Sequence, residues 1–180
     1  HGAFLDVTVF SDDIRIVEVS DYRVEQSLKI ATELGVKGVV FHTNYIANFV
    51  QKSYCDSWVE RNFIYWSKKL EKYSNLDIYI ENMFDIEPFL LEKLAKKLSI
   101  YKNFGVCFDY AHAHVFGDEN KVDEWVKSLH PYVKHIHIND NDFKEDLHLP
   151  LGEGCINWDI FKKYYEQYFS EASVLLELRG

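Results

Sequence analysis

Four features are scarce in this 180-residue chain, and each scarcity excludes a class of protein. No stretch approaches the ~20 apolar residues of a membrane-crossing helix, so no membrane partner is expected. The three cysteines, Cys55, Cys107 and Cys155, are an odd number without CxxC spacing. That argues against a disulfide framework and for a reducing compartment, taken here as the cytoplasm. Positive charge is short: 20 Lys and Arg stand against 29 Asp and Glu, a formal net charge of −9. So acidic a chain repels phosphate backbones unless its cations are concentrated or supplied by metal, and nucleic acid is not an expected partner. A glycine-rich phosphate turn is also missing. Gly152-Glu153-Gly154 lacks a third glycine and does not directly follow a strand. This counts against an open, doubly wound dinucleotide-binding sheet.

Apolar residues make up 47% of the chain and charged residues 27%, enough to bury a core within one domain. Five short runs rich in β-branched and aromatic residues predict strands buried on both faces: Val36–His42, Leu76–Glu81, Phe104–Asp109, Val133–Ile138 and Ser173–Leu178. Amphipathic stretches separate them. Ser20 is the expected cap of a helix over Asp21–Leu34, with Val24, Leu28 and Ala31 on one face and Gly35 as its stop. Further helices are expected over Asp56–Tyr73, after Pro88 with Leu90, Leu94 and Leu98 inward, over Val122–Leu129 and over Trp158–Phe169. Alternating β and α implies a parallel sheet with right-handed crossovers.

The strand ends select between architectures. His42, Glu81, Asp109, His137 and Glu177 each end an apolar run, and His1 stands where a sixth strand would end. The intervals between these residues are 41, 39, 28, 28 and 40, each long enough for one β-loop-α-loop unit. His112 follows Asp109 by one helical turn, and Asp146 and His148 sit in the loop after His137. Functional groups at the C-terminal ends of successive strands are the signature of a (β/α)8 barrel. A carboxylate in an apolar run is costly unless paired or metal-bound. Glu81, Asp109, Asp146 and Glu177 together carry −4, which one small cavity cannot hold ionised without cations. Imidazole and carboxylate donors suit Zn, Mn, Fe, Co or Mg.

HGAFLD, VVFHTNY, IENMF, CFDYAHAH, HIHINDN, DLHLPLGEGCINW and LLELRG together resemble the xylose isomerase-like TIM-barrel superfamily, which includes sugar phosphate isomerases/epimerases and endonuclease IV. The resemblance implies a TIM barrel, incomplete here with about six of eight strands. Residues 1–180 would be a single such domain lacking segments at both ends. In the epimerase-like branch, residues matching Glu81, Asp109, His137 and Glu177 hold one divalent metal. In the endonuclease IV-like branch nine ligands hold three zinc ions. All nine positions are compatible here: His1, His42, Glu81, Asp109, His112, His137, Asp146, His148 and Glu177.

Several departures from the nuclease pattern favour the isomerase/epimerase branch. His42 is followed by Thr43-Asn44 rather than Pro-Gly. Asp146-Leu147-His148 replaces Asp-Arg-His, so a cation near a phosphate is expected to be missing. The loops of the expected catalytic face carry Asp85, Glu87, Asp118, Glu119, Asp140, Asp142, Glu145 and Glu153 against only Lys52, Lys121 and Lys144. They also offer Tyr45, Phe49, Phe84, Tyr110, Phe116, Phe143 and Trp158 for stacking on a sugar. By resemblance, Glu81 and Glu177 would act as base and acid on opposite faces of the substrate. His112, His42 and Asn82 would bind it. The expectation is a divalent-metal-dependent sugar isomerase or epimerase without an organic cofactor. An endonuclease IV-like zinc phosphodiesterase is the alternative.

Overall fold

The computed structural model describes residues 1–46, 50–118 and 121–179. In chain order the elements are α1 (Ile14–Glu33), β1 (Gly38–His42), α2 (Lys52–Lys72), β2 (Asp77–Glu81), α3 (Phe89–Leu98), β3 (Phe104–Asp109), α4 (Tyr110–Val115), α5 (Val122–Leu129), β4 (Val133–Ile138), α6 (Trp158–Tyr164) and β5 (Ser173–Leu176). The five strands form one parallel sheet in sequential order. Helices cover its outer face, and the architecture is a partial (β/α) barrel. No helix among the described residues is long and apolar enough to cross a membrane.

Strand alternation divides the apolar residues into two sets. Phe41, Ile78, Ile80, Val106, Phe108 and Ile136 face the helices and share the main core with Trp58, Trp66, Leu91 and Trp125. Val40, Tyr79 and Cys107 form a separate small cluster on the concave face. Two residues further along each of these strands stand His42, Glu81 and Asp109. The concave face therefore presents a ligand layer above an apolar floor.

Register sets the height of that layer. His42 and Glu81 are partners, as are Asp109 and His137, but Glu81 pairs with Cys107 rather than Asp109. His137 pairs with Leu175, two residues short of Glu177. The ligand row thus climbs two residues at β3 and two more at β5, the stagger that closing a barrel requires.

Among the described residues, five of the expected six strands form. His1 and Gly2 lie along the outer side of β1, where the Gly2 N–H donates to the Val40 carbonyl at 2.8 Å, without extending into a strand. β1, β2 and β5 come out shorter than expected, and β5 is exposed along its length because no strand covers its far side among the described residues. α1 begins seven residues before the expected Asp21–Leu34 span, at Ile14, with the Asp13 carboxylate accepting from the Arg15 N–H. Ser20 is buried in mid-helix and accepts from the Thr8 N–H. Gly35 ends the helix at φ +64°, a left-handed conformation. α2 starts earlier than expected, and the expected Trp158–Phe169 helix passes into a wider π-type turn over Tyr165–Phe169. The short α4 has no counterpart among the expected helices.

Candidate metal centre

Each strand end delivers its side chain differently. Asp109 caps α4, its Oδ1 accepting from the His112 N–H at 2.7 Å. This leaves Oδ2 buried without a hydrogen-bond partner. The same turn brings His112 back over the strand ends, so the three-residue spacing has a helical cause.

Glu81 is the hub of the site and is 1% exposed. Its Oε2 lies 3.3 Å from His1 Nε2, 3.6 Å from His42 Nε2 and 3.3 Å from His137 Nδ1, and its Oε1 lies 3.5 Å from His112 Nδ1. Glu177 reaches the same point from β5, with Oε2 at 3.2 Å from His137 Nδ1 and Oε1 at 3.8 Å from His1 Nδ1. His137 Nδ1 makes no aligned hydrogen bond despite these approaches. Imidazole nitrogens and carboxylate oxygens that converge on one point in this way fit a cation at their centre.

Beside this group lies a second. His112 Nδ1 is 2.9 Å from the Asn82 carbonyl, and His148 Nδ1 is 3.0 Å from the Glu177 carbonyl. A carbonyl can only accept, so both Nδ1 atoms carry hydrogen, and in the neutral rings both Nε2 atoms present lone pairs. Those nitrogens face Asp146 Oδ2 at 3.8 and 3.1 Å. Ring orientation fixed from behind by a backbone acceptor is the usual support of a metal-ligating histidine. Among the described residues, four sets of donor atoms come within 4.8 Å of one another: His1–Glu81–His137–Glu177, His112–Asp146–His148, Glu81–Asp109–His112, and Cys107–His135–His137 one layer down. Eight of the nine expected metal-site residues fall in the first three sets, and His42 abuts Glu81.

In the protein alone, imidazoles offset part of this acid. Burial pulls the His112 and His137 imidazoliums down, but surrounding carboxylates outweigh it and push both up to about 10. Burial raises the Glu81, Asp146 and Glu177 carboxyls, yet neighbouring histidines hold all three below their ordinary values. Asp109, fully enclosed, is pushed up to about 6 by burial. The −4 of the sequence is therefore held partly by protons on histidines, the same protons a cation would displace.

The expected rim differs from the observed one. Asp140 is buried and accepts from the Asn141, Gly152 and Ile156 N–H groups and from Trp158 Nε1. Asp85 is buried and accepts from Thr43 Oγ1 and the Met83 N–H. Both are structural, and the rim is less acidic than the sequence implied. Glu119 and Phe49 lie outside the described residues. Tyr45 and Tyr110 are buried in the core, Trp158 is tied to Asp140 and Phe143 stacks on His114. Phe84 and Phe116 pair edge to face. Asn82 has both side-chain ends engaged, Nδ2 donating to the Asp109 carbonyl and Oδ1 accepting from the Asp109 N–H, each at 2.9 Å. It fastens β2 to β3.

A cleft of about 120 Å³ opens over these groups, lined by His1, Phe4, His42, Glu81, Met83, His112, Asp146, His148, Glu177 and Arg179. Larger grooves on the helical surface, such as one of about 350 Å³ beside Thr32 and Lys72, bring together no ligating groups. Phe4 and Arg179 were not anticipated. Phe4 packs edge-on to His42 at 4.4 Å. Arg179 Nη2 stands 3.7 Å from Asp146 Oδ2, so the cation that Asp-Leu-His lacks in sequence is supplied from beyond β5.

The fold and the ligand layer define a class, and the profile of the family described as "Xylose isomerase-like TIM barrel" matches residues 1–179. The chain belongs to that family. It is 29% identical over 175 residues to the uncharacterized protein MJ1311 of Methanocaldococcus jannaschii, covering 92% of this chain and 59% of the relative. It is 24% identical over 172 residues to the probable endonuclease 4 of Mycobacterium leprae, covering 89% and 65%. The chain thus spans about three fifths of the length of the curated relatives it matches. Among solved structures, a D-tagatose 3-epimerase-like protein superposes with a TM-score of 0.81 at 27% identity, over 99% of this chain and 69% of that one. The TTHB071 protein from Thermus thermophilus, soaked with ZnCl2, superposes at 0.79 with 24% identity over 100% and 70%.

Proposed function

We propose that this chain carries the metal-holding part of a divalent-metal-dependent isomerase or epimerase acting on a small sugar. Support comes above all from one relationship. Glu81 and Glu177, from strands separated by β3 and β4, approach the same nitrogen, His137 Nδ1, at 3.3 and 3.2 Å. With a substrate held between them, the two glutamates would act at opposite faces of one carbon, as epimerisation requires. Glu81, Asp109, His137 and Glu177 would hold the cation, with Mn, Zn, Co or Mg suited to that donor set. Its contribution when bound is to stabilise negative charge developing on the substrate's carbonyl oxygen. One glutamate takes the proton next to the carbonyl and the other returns it, while His112 and His42 orient the substrate's oxygens. Cysteines outside any disulfide among the described residues fit a cytoplasmic location.

A second reading, hydrolysis of a phosphate ester by several cations, is favoured by one observation. His112, Asp146 and His148 make a complete three-ligand group beside the first. Metal analysis together with solvent-deuterium exchange into a panel of ketoses separates the readings. One tightly held ion and exchange at the carbon next to the carbonyl is the expected result. Three ions per chain that survive dialysis, without exchange into any sugar, would establish the hydrolase instead.

A further inference from the structure

We propose that Cys107, His135 and His137 form a further cation site one layer below the strand ends, selective for a thiophilic divalent ion and exclusive of the ion held by the Glu81–Glu177 group. The inference rests on the preceding reading only in taking that upper group as the seat of a cation. Donor atoms of the three residues lie within 4.8 Å of one another. Thiolate with imidazole favours softer ions, whereas the carboxylate-rich group above suits Mg or Mn.

An irregularity in the ladder builds this cluster. β3 and β4 shift register between Val106 and Cys107, so that Val106 pairs with Val133 but Cys107 pairs with His135. Lys134 is the extra residue. Unshifted pairing would set Cys107 against Lys134 and turn both histidines towards the helices, since a one-residue slip exchanges the two faces of a strand. With the shift, Cys107 meets His135, and Asp109 meets His137 one pair higher.

The His135 ring is held in a ligating form. Ser173 Oγ donates its only hydrogen to the Lys134 carbonyl at 3.3 Å. It therefore accepts from His135 Nδ1, at 2.7 Å. That nitrogen carries the hydrogen, and in the neutral ring Nε2 presents a lone pair. Tyr79 stacks on the same ring at 5.6 Å, and Cys107 is fully buried beside Tyr79 and Val40. Such an apolar surround strengthens the attraction between a cation and a thiolate.

His137 belongs to both groups. Its Nδ1 lies 3.3 Å from Glu81 Oε2 and 3.2 Å from Glu177 Oε2. A neutral imidazole has one lone pair, so His137 ligates one ion at a time. Filling the lower site takes a ligand from the upper one, and a thiophilic ion is thereby an antagonist of the ion above it.

The test adds cadmium to the manganese-loaded chain and follows two signals, the thiolate-to-cadmium absorption in the ultraviolet and the electron paramagnetic resonance of manganese set free. In the native protein both should rise together. Cys107→Ala should lack the absorption and keep its manganese at the cadmium concentration that empties the native chain. Ser173→Ala removes only the support behind His135 and should need about ten- to a hundred-fold more cadmium. Cadmium-113 NMR of the native protein needs no variant, and its resonance should report mixed sulfur and nitrogen ligation. Release of manganese from Cys107→Ala at the native cadmium concentration would overturn the proposal, because cadmium would then be entering the upper group directly. So would absence of the thiolate absorption from the native protein, or its survival in Cys107→Ala. A native chain that gives the absorption but holds no manganese beforehand would keep the lower site and overturn the metal-holding role of the Glu81–Glu177 group. Manganese held firmly against cadmium, with no thiolate absorption, would do the reverse.

Discussion

His112 Nε2 and Asp146 Oδ2 face one another across 3.8 Å, while the other nitrogen of the imidazole is tied to the Asn82 carbonyl. That tie fixes the imidazole, and a gap of this length between two ligating atoms suits a cation. The Glu81 group lies on the far side of the same imidazole. Two affinities are therefore expected. Asp146→Asn should remove the weaker class of bound ion and leave the tighter one, whereas Glu177→Gln should weaken the tighter. Titration calorimetry with Zn or Mn, read alongside elemental analysis after dialysis, checks this. A single affinity lost equally in both variants would contradict it.

Proton release should accompany metal binding. His112 and His137 are pushed up to about 10 in the folded chain from an ordinary 6.5. A raised folded pKa stabilises the protein fully below 6.5, and that contribution is lost as pH rises through about 10. The melting temperature of metal-free protein should thus fall between about pH 7 and 10. Metal affinity should rise over the same range, because the ligands must shed those protons. Calorimetry in buffers of different ionisation enthalpy should count about two protons released per chain near neutral pH.

Glu81→Gln and Glu177→Gln keep size and one oxygen but remove basicity. On a sugar accepted by the native protein each should lower turnover by roughly 10²–10⁴-fold, beyond any loss of metal. Exchange of solvent deuterium at the substrate carbon should persist in one variant and vanish in the other. Native turnover in either fully loaded variant would remove that glutamate from the proton transfer.

Abasic duplex DNA should bind poorly. The formal charge of −9 and the exposed Glu87, Glu145 and Glu153 repel a phosphate backbone. Fluorescence titration at about 150 mM salt should give dissociation constants weaker than micromolar. Submicromolar binding would restore the nuclease reading.

Gly154→Ala should destabilise the loop after β4. An added Cβ would come within 2.3 Å of Asp140 Oδ1 and 2.4 Å of the Asn141 carbonyl oxygen. Asp140 already holds three backbone N–H groups and the Trp158 indole, so neither atom has room to yield. A loss of about 1–3 kcal/mol, as for other overpacked sites, is expected in chemical denaturation. The second glycine of Gly152-Glu153-Gly154 is thereby explained by close approach to a carboxylate.

The parallel fold and the ligand row were legible because both depend on local pattern. An apolar run ending in His, Asp or Glu marks a strand and the rim it points to, and β3 and β4 run over the residues that pattern gave. α1 began outside its expected span because Ile14, Ile16, Val17 and Val19 are β-branched and carry no helical signal of their own. Burial of Asp85 and Asp140 could not be read, since a loop carboxylate looks the same whether it binds backbone or water. Arg179 was hidden for a different reason. Its neighbour Asp146 is far away in the chain, and only the closing of β5 onto β4 brings them together.

The ligands of the Glu81 group lie far apart in sequence, His1 beside β1 and Glu81, His137 and Glu177 at or just past the ends of β2, β4 and β5. No fragment that stops short of β5 contains a complete coordination shell. A divalent ion would then be held firmly only once β5 has docked, tying the tips of β2, β4 and β5 to one point. Its loss would loosen those strand tips together, so removing the metal should open several loops to proteases at once rather than a single exposed one.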